Sequence, residues 1–161
     1  MQMFSLPSIE IILFQIFVFA FFGALLGSFA SAIIHRIETE QSWIFNDKEN
    51  EAARSQCPQC DHQLSWKDLI PLISYLLLKG QCRYCKSKIP AFYFLLEITC
   101  IIVALCIYKV FGFSTAAFLV LAVWPFILSQ AFVFYRRNII SKQLCAIIGF
   151  GFIALGASYF I

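Results

Sequence analysis

An all-α membrane protein with about four transmembrane helices is the fold class the sequence predicts, on three observations. The 161 residues are 61% apolar, and mean hydropathy is +0.81, well above a soluble domain, where about half the residues are apolar. Charged residues make up only 13%. They leave four stretches almost free of charge, Ile11 to Ile34, Pro90 to Tyr108, Phe111 to Phe134 and Leu144 to Ile161, each near the roughly 20 residues a spanning helix needs. Only His35 to Ile89 can hold a water-facing module, so the chain divides into 1–34, 35–89 and 90–161. Lys plus Arg (12) barely exceed Asp plus Glu (9), too small an excess to coat nucleic acid, and lipid is the expected partner.

The first span has no basic flank before its apolar run, Glu10 being its only early charge. It therefore reads as a retained span and not a cleaved signal peptide. Toward its far end Gly23-Ala-Leu-Leu-Gly27 sets two small residues four apart, a spacing that lets a second helix come close. Packing against another span of the same chain is favoured over dimerisation. Beyond it, Glu38, Glu40, Asp47, Glu49 and Glu51 read as a solvated linker, and His35 and His62 fall in no metal-ligand spacing with each other.

The connecting segment carries the strongest chemical signal. Cys57-Pro-Gln-Cys60 and Cys82-Arg-Tyr-Cys85 are two CxxC pairs with 21 residues between them. Each pair turns two thiolates to one side, and two such knuckles supply the four soft ligands that tetrahedral zinc prefers. A zinc-ribbon-like module follows, its ligands Cys57, Cys60, Cys82 and Cys85. Four thiolates leave no open position, so the zinc is structural. Thiol-redox chemistry is the alternative reading of the same residues. The insert between the knuckles, Leu64 to Lys79, is too apolar for an exposed loop and too short to span. It is expected on the membrane surface, with a short helix from Pro71 to Lys79 capped by Gly80 and with Trp66 and Tyr75 at headgroup level; packing of these residues on the zinc module or the spans is the alternative.

In the second span Glu97 lies about 10 Å into a helix starting at Pro90. A carboxylate at that depth must snorkel, pair or serve function. Cys100, Cys106 and Cys145 read as small apolar residues within spans, and the nineteen Phe residues as packing bulk. The basic residues give the orientation, because Lys and Arg favour cytoplasmic connections. The first and third connections of a four-span chain share a side and together hold eleven of the twelve, against Lys109 alone in the second. Both termini then face outward and the cysteine-rich loop lies in the cytoplasm, a reducing compartment where thiols stay free for metal.

The run Cys57-Pro58-Gln59-Cys60, Leu64, Trp66, Asp68, Ile70-Pro71, Ser74-Tyr75, Leu78, Gly80, Cys82-Arg83, Cys85, Ile89, Tyr93 and Glu97 resembles the cysteine-rich N-terminal domain of bacterial type IV prepilin peptidases. Gly27-Ser28-Phe29 followed by Arg36 is similar to that family's first-span signature. The resemblance covers roughly residues 23 to 97. It implies an inner-membrane protein of a type IV pilus or type II secretion system, from a family that cleaves prepilin leader peptides at the cytoplasmic side. That family also N-methylates the new N-terminus with S-adenosylmethionine, which puts Lys79, Gly80 and Glu97 in a candidate methyl-transfer or substrate region.

Departures from the family pattern bear on activity. Ser31 stands where Asn is usual, and Leu69 and Phe94 replace frequent Asn and Pro. Phe134 falls at the first catalytic aspartate, Ser141 at the usual Pro and Lys142 at the following Asp, and no Gly-x-Gly-Asp motif follows. Independently of any alignment, no Asp or Glu occurs after Glu97, whereas aspartic proteolysis needs two carboxylates sharing a water. No nucleophile elbow, Cys/His pair or HExxH helix offers another hydrolase centre. Three accounts follow: a noncatalytic subunit that binds prepilin or a peptidase partner, a chain retaining methyl transfer or forming half of a split peptidase, and a membrane thiol-redox protein.

Overall fold

The computed structural model describes residues 8–39 and 55–158. These are all-helical, with no strand among them: α1 Ile9–Glu38, α2 Ile73–Leu77, α3 Ala91–Phe111, α4 Thr115–Arg137 and α5 Lys142–Ser158, with one 3₁₀ turn at Trp66–Asp68. Glu40, Asp47, Glu49 and Glu51 of the predicted linker lie outside the described residues.

Helices α1, α3 and α4 are each long and apolar enough to cross a membrane. Helix α5 has the same apolar character in 17 residues. At 30 residues α1 runs about 45 Å, half as long again as a hydrocarbon core, whereas the 21 residues of α3 match it at about 31 Å. The hairpin between α3 and α4 begins one turn later than the charge pattern predicts. Gly112, at φ +64°, stops α3, and the Ser114 hydroxyl accepts the Ala117 N–H to start α4.

The core lies among α1, α3 and α4. One cluster joins Phe19, Ala104, Ile107, Ala117 and Leu121, and a second joins Ala30, Ile34, Leu96, Cys100 and Val133. The two glycines of the small-residue motif set the spacing. A Cβ on Gly23 would meet Ala104 and the Cys100 carbonyl at 2.8 and 2.9 Å, and one on Gly27 would lie 2.8 Å from the Glu97 Cα. The close approach is thus internal, α1 against α3.

Contacts along the helices fix their directions. Tyr108 donates to Gln15 at 2.8 Å near one end of the bundle, and Arg136 pairs with Glu38 at 2.9 Å near the other. Helices α1 and α4 therefore run parallel, with α3 antiparallel to both. The end of α1, the start of α3 and the end of α4 gather at one end of the bundle, and the cysteine-rich segment leads into α3 there.

Candidate metal centre

Each knuckle is built the same way. The Cys57 N–H donates to the His62 carbonyl at 3.0 Å and the Cys82 N–H to the Ser87 carbonyl at 2.8 Å. The Asp61 N–H returns to Cys57 at 2.9 Å, and the Lys86 N–H to Cys82 at 3.1 Å. Both donors sit in the left-handed region, at φ +52° and +61°. Two more matched bonds close the turns, Leu64 N–H to the Ser55 carbonyl and Ile89 N–H to the Gly80 carbonyl. Every partner in one knuckle is displaced by 25 residues in the other. That repeat is legible in the sequence as Gln56-Cys57-x-x-Cys60-x-x-x-Leu64 against Gln81-Cys82-x-x-Cys85-x-x-x-Ile89, a signal the ligand spacing alone does not use.

The pairing brings all four predicted ligands together. The sulfurs of Cys57, Cys60, Cys82 and Cys85 lie within 4.8 Å of one another, with Cys57 Sγ 3.9 Å from Cys85 Sγ. Sulfurs about 2.3 Å from a central zinc have tetrahedral edges of about 3.8 Å, whereas a disulfide needs about 2.05 Å. The arrangement suits a cation at the centre of the thiols. Cys57 and Cys82 are buried, and Cys85 is exposed with the Ser87 hydroxyl 3.1 Å from its sulfur.

Neighbouring groups shift the Cys57, Cys60 and Cys85 thiols in different directions. The Ser87 hydroxyl, and then its N–H, bring the Cys85 thiol down to about 6. Burial disfavours a charged Cys57, yet the Gln59 and Cys60 N–H groups lower its thiol overall. Cys60 receives an N–H from His62, but burial and the Cys85 and Cys57 sulfurs outweigh it and push its thiol up to about 12. Thiolates this close raise one another's pKa values, and a dication removes that penalty.

Asp68 and a ring contact between the knuckles tie the module together further, neither of them evident from ligand spacing. Asp68 accepts from the Ser65 N–H and hydroxyl at 3.1 and 2.8 Å, from Arg83 Nε at 2.7 Å and from the Tyr84 hydroxyl at 3.1 Å. Burial alone would raise its carboxyl, but these donors, Arg83 foremost, hold it at about 2. Arg83 and Tyr84 are the two residues inside the second CxxC, so Asp68 clamps the insert to that knuckle. The His62 ring packs against Tyr84, ring centres 3.6 Å apart and planes tilted by 33°, and so joins the two knuckles.

The insert departs from its predicted form. Helix α2 covers Ile73–Leu77 only, not Pro71 to Lys79. Leu72 takes φ +59°, which breaks the first predicted turn, and its N–H donates to Glu97 Oε2 at 2.7 Å. At the other end Gly80, at φ +67°, returns its N–H to the Tyr75 carbonyl, and a Cβ there would strike the Tyr75 ring at 2.9 Å. Tyr75 itself stacks on Phe94 of α3, ring centres 4.9 Å apart, and so packs on the bundle.

The candidate methyl-transfer residues separate. Lys79 and Gly80 line an open cavity of about 430 Å³ with Tyr75, Gln81, Lys88 and Ala91, but Glu97 is absent from its lining and faces Leu72. Phe134 lines an apolar groove between α4 and α5 with Ile127, Gln130, Ile148 and Phe152. Lys142 is exposed at the start of α5.

The family described as "Bacterial Peptidase A24 N-terminal domain" matches residues 21–111. Among curated proteins, the chain is 35% identical over 130 residues to a prepilin leader peptidase/N-methyltransferase of Vibrio cholerae, covering 79% of this chain and 50% of that protein. It is 38% identical over 94 residues to the protein of the same name from Myxococcus xanthus (58% and 26%). With the one from Stutzerimonas stutzeri it shares 37% over 111 residues (59% and 38%). The chain thus spans half or less of these relatives' lengths. No solved structure matches it.

Proposed function

Since the chain belongs to the bacterial peptidase A24 N-terminal domain family, we propose that its 161 residues form a zinc-stabilised inner-membrane component of a type IV pilus or type II secretion system that binds prepilin or a peptidase partner and does not itself carry a working aspartic protease centre. The observation that carries this reading is the distribution of carboxylates. Residues 98–161 contain none, and Glu97 is engaged by the Leu72 N–H. The groove around Phe134 is lined by apolar residues, Gln130 and Cys145, with no carboxylate. Phe transfers no proton, and Lys142 brings a cation where an acid–base pair needs an anion.

The four thiols would hold zinc as a structural ion, which fixes the module's fold and supplies no reactive position. The eleven-to-one distribution of basic residues favours a cytoplasmic module and outward termini. S-adenosylmethionine, which the relatives' names imply, finds a poor match in the cavity at Lys79 and Gly80. Two lysines and no carboxylate line it, whereas a sulfonium and an ammonium ask for anions. No step is derived through that cofactor.

The test is purified, zinc-loaded chain in lipid with a prepilin substrate, alone and with membrane partners. The expected result is prepilin crosslinking to the chain without cleavage, and cleavage only once a partner supplies aspartates. Cleavage by the isolated chain refutes the reading.

A further inference from the structure

Glu97 lies six residues beyond the first residue of α3, about 9 Å along a helix whose length matches the hydrocarbon core. Its carboxylate holds the Leu72 N–H at 2.7 Å. Phe94, about 4–5 Å along the same helix, carries the Tyr75 ring. The Gly80 carbonyl, by contrast, accepts the Ile89 N–H just before α3 begins. The insert therefore descends alongside α3 to the level of its second turn at Leu72 and climbs back to the helix start at Gly80. A depth of about 5–10 Å is where interfacial helices bury their apolar side, at the headgroup–acyl boundary.

The segment's outer side has the chemistry of that boundary. Trp66, Leu69, Ile73, Leu76 and Leu77 are exposed, Leu77 to 76%, and Leu95 of α3 is exposed as well. Lys67, which lies over the Trp66 ring, and Lys79 flank the apolar run. Lysines at both rims of an apolar segment snorkel to phosphates and favour acidic lipid. Backbone that leaves helical geometry at membrane depth must satisfy its N–H groups from protein. Glu97 does so for Leu72, which gives the buried acid of α3 a physical role.

We propose that Leu69–Leu78 is a shallow wedge seated in the acidic phospholipid interface, with Trp66, Lys67 and Lys79 at its rim, and that Glu97 is the positioning residue that sets its depth. The metal module is thereby fixed against the bilayer. This inference uses neither the metal nor the protease assignment, so it fails or stands apart from them.

The full chain carrying Leu77→p-benzoylphenylalanine, reconstituted in nanodiscs of phosphatidylcholine with or without phosphatidylglycerol, tests it by photocrosslinking. Gln59→p-benzoylphenylalanine, on the first knuckle, is the control. Leu77 is expected to capture lipid, and Gln59 is not. Capture at Leu77 should rise with phosphatidylglycerol, and Lys67→Gln or Lys79→Gln, each removing one basic charge, should lower that rise by about fivefold. Glu97→Leu should lower capture severalfold while metal content and helicity hold, and Glu97→Gln, which keeps a carbonyl acceptor, should restore it. Equal capture at the two sites, capture of a polypeptide in place of lipid, or indifference to lipid charge overturns the wedge. Unchanged capture in Glu97→Leu overturns the positioning role.

Discussion

The cysteine module and the helical bundle are held together by different physics. In the bundle, Phe19, Ala30, Ile34, Ala104, Leu121 and Val133 are buried among three helices, and glycines bring the backbones of α1 and α3 together. Within residues 55–89 only Cys57, Gly80 and Cys82 are buried. A segment with so little apolar core cannot offset its chain entropy by burial, and small domains of this kind depend on crosslinks or metal. The two regions should therefore fail separately. Removing metal ligands should unfold one and leave the other standing.

The largest expected effect comes from Cys82→Ser. Losing this buried ligand should remove much of the roughly 10 kcal/mol that structural zinc contributes to a module of this size. Metal analysis should find no zinc, and limited proteolysis should cut between residues 55 and 89. Circular dichroism should keep the bundle's helical signal. Loss of helicity in parallel with the metal would mean that the two regions form one cooperative unit.

A smaller effect, roughly 2 kcal/mol, is expected from Asp68→Asn, which weakens a carboxylate accepting from Arg83, Ser65 and Tyr84. Its folded pKa of about 2 lies below the value of 3.8 it has when free. A depressed carboxyl contributes its full stability above the free value and loses it as pH falls through the folded one. The difference between wild type and Asp68→Asn should thus be constant above about pH 4 and shrink between about pH 4 and 2. Acid unfolding of the module, followed by Tyr84 fluorescence or amide exchange, reads it. A difference that instead grows toward low pH would show that Asp68 is not held ionised by these donors.

What was legible in the sequence follows the same division. The four ligands are read from spacing because a CxxC turn is local, and the spans from charge because hydrocarbon excludes it. The partner of Gly23 and Gly27 was legible in kind, since small residues four apart imply a neighbour within reach. The insert's helix is shorter than its sequence predicts because its start depends on a distant residue. Pro71 is a good first helical residue, but Leu72 turns left-handed to give its N–H to Glu97, a bond between two segments that propensity does not link. Asp68 was visible as a family identity and silent as to its partners. Its clamp on Arg83 and Tyr84 exists only once the knuckles pair.

The central claim is that four cysteines hold a structural metal at the head of a membrane bundle. Metal analysis of the freshly purified chain, joined with X-ray absorption at the zinc edge, tests it most directly. The account predicts about one zinc per chain, coordinated by four sulfurs at about 2.3 Å. Metal-free protein with Cys57, Cys60, Cys82 and Cys85 oxidised to disulfides would contradict it and favour thiol-redox chemistry.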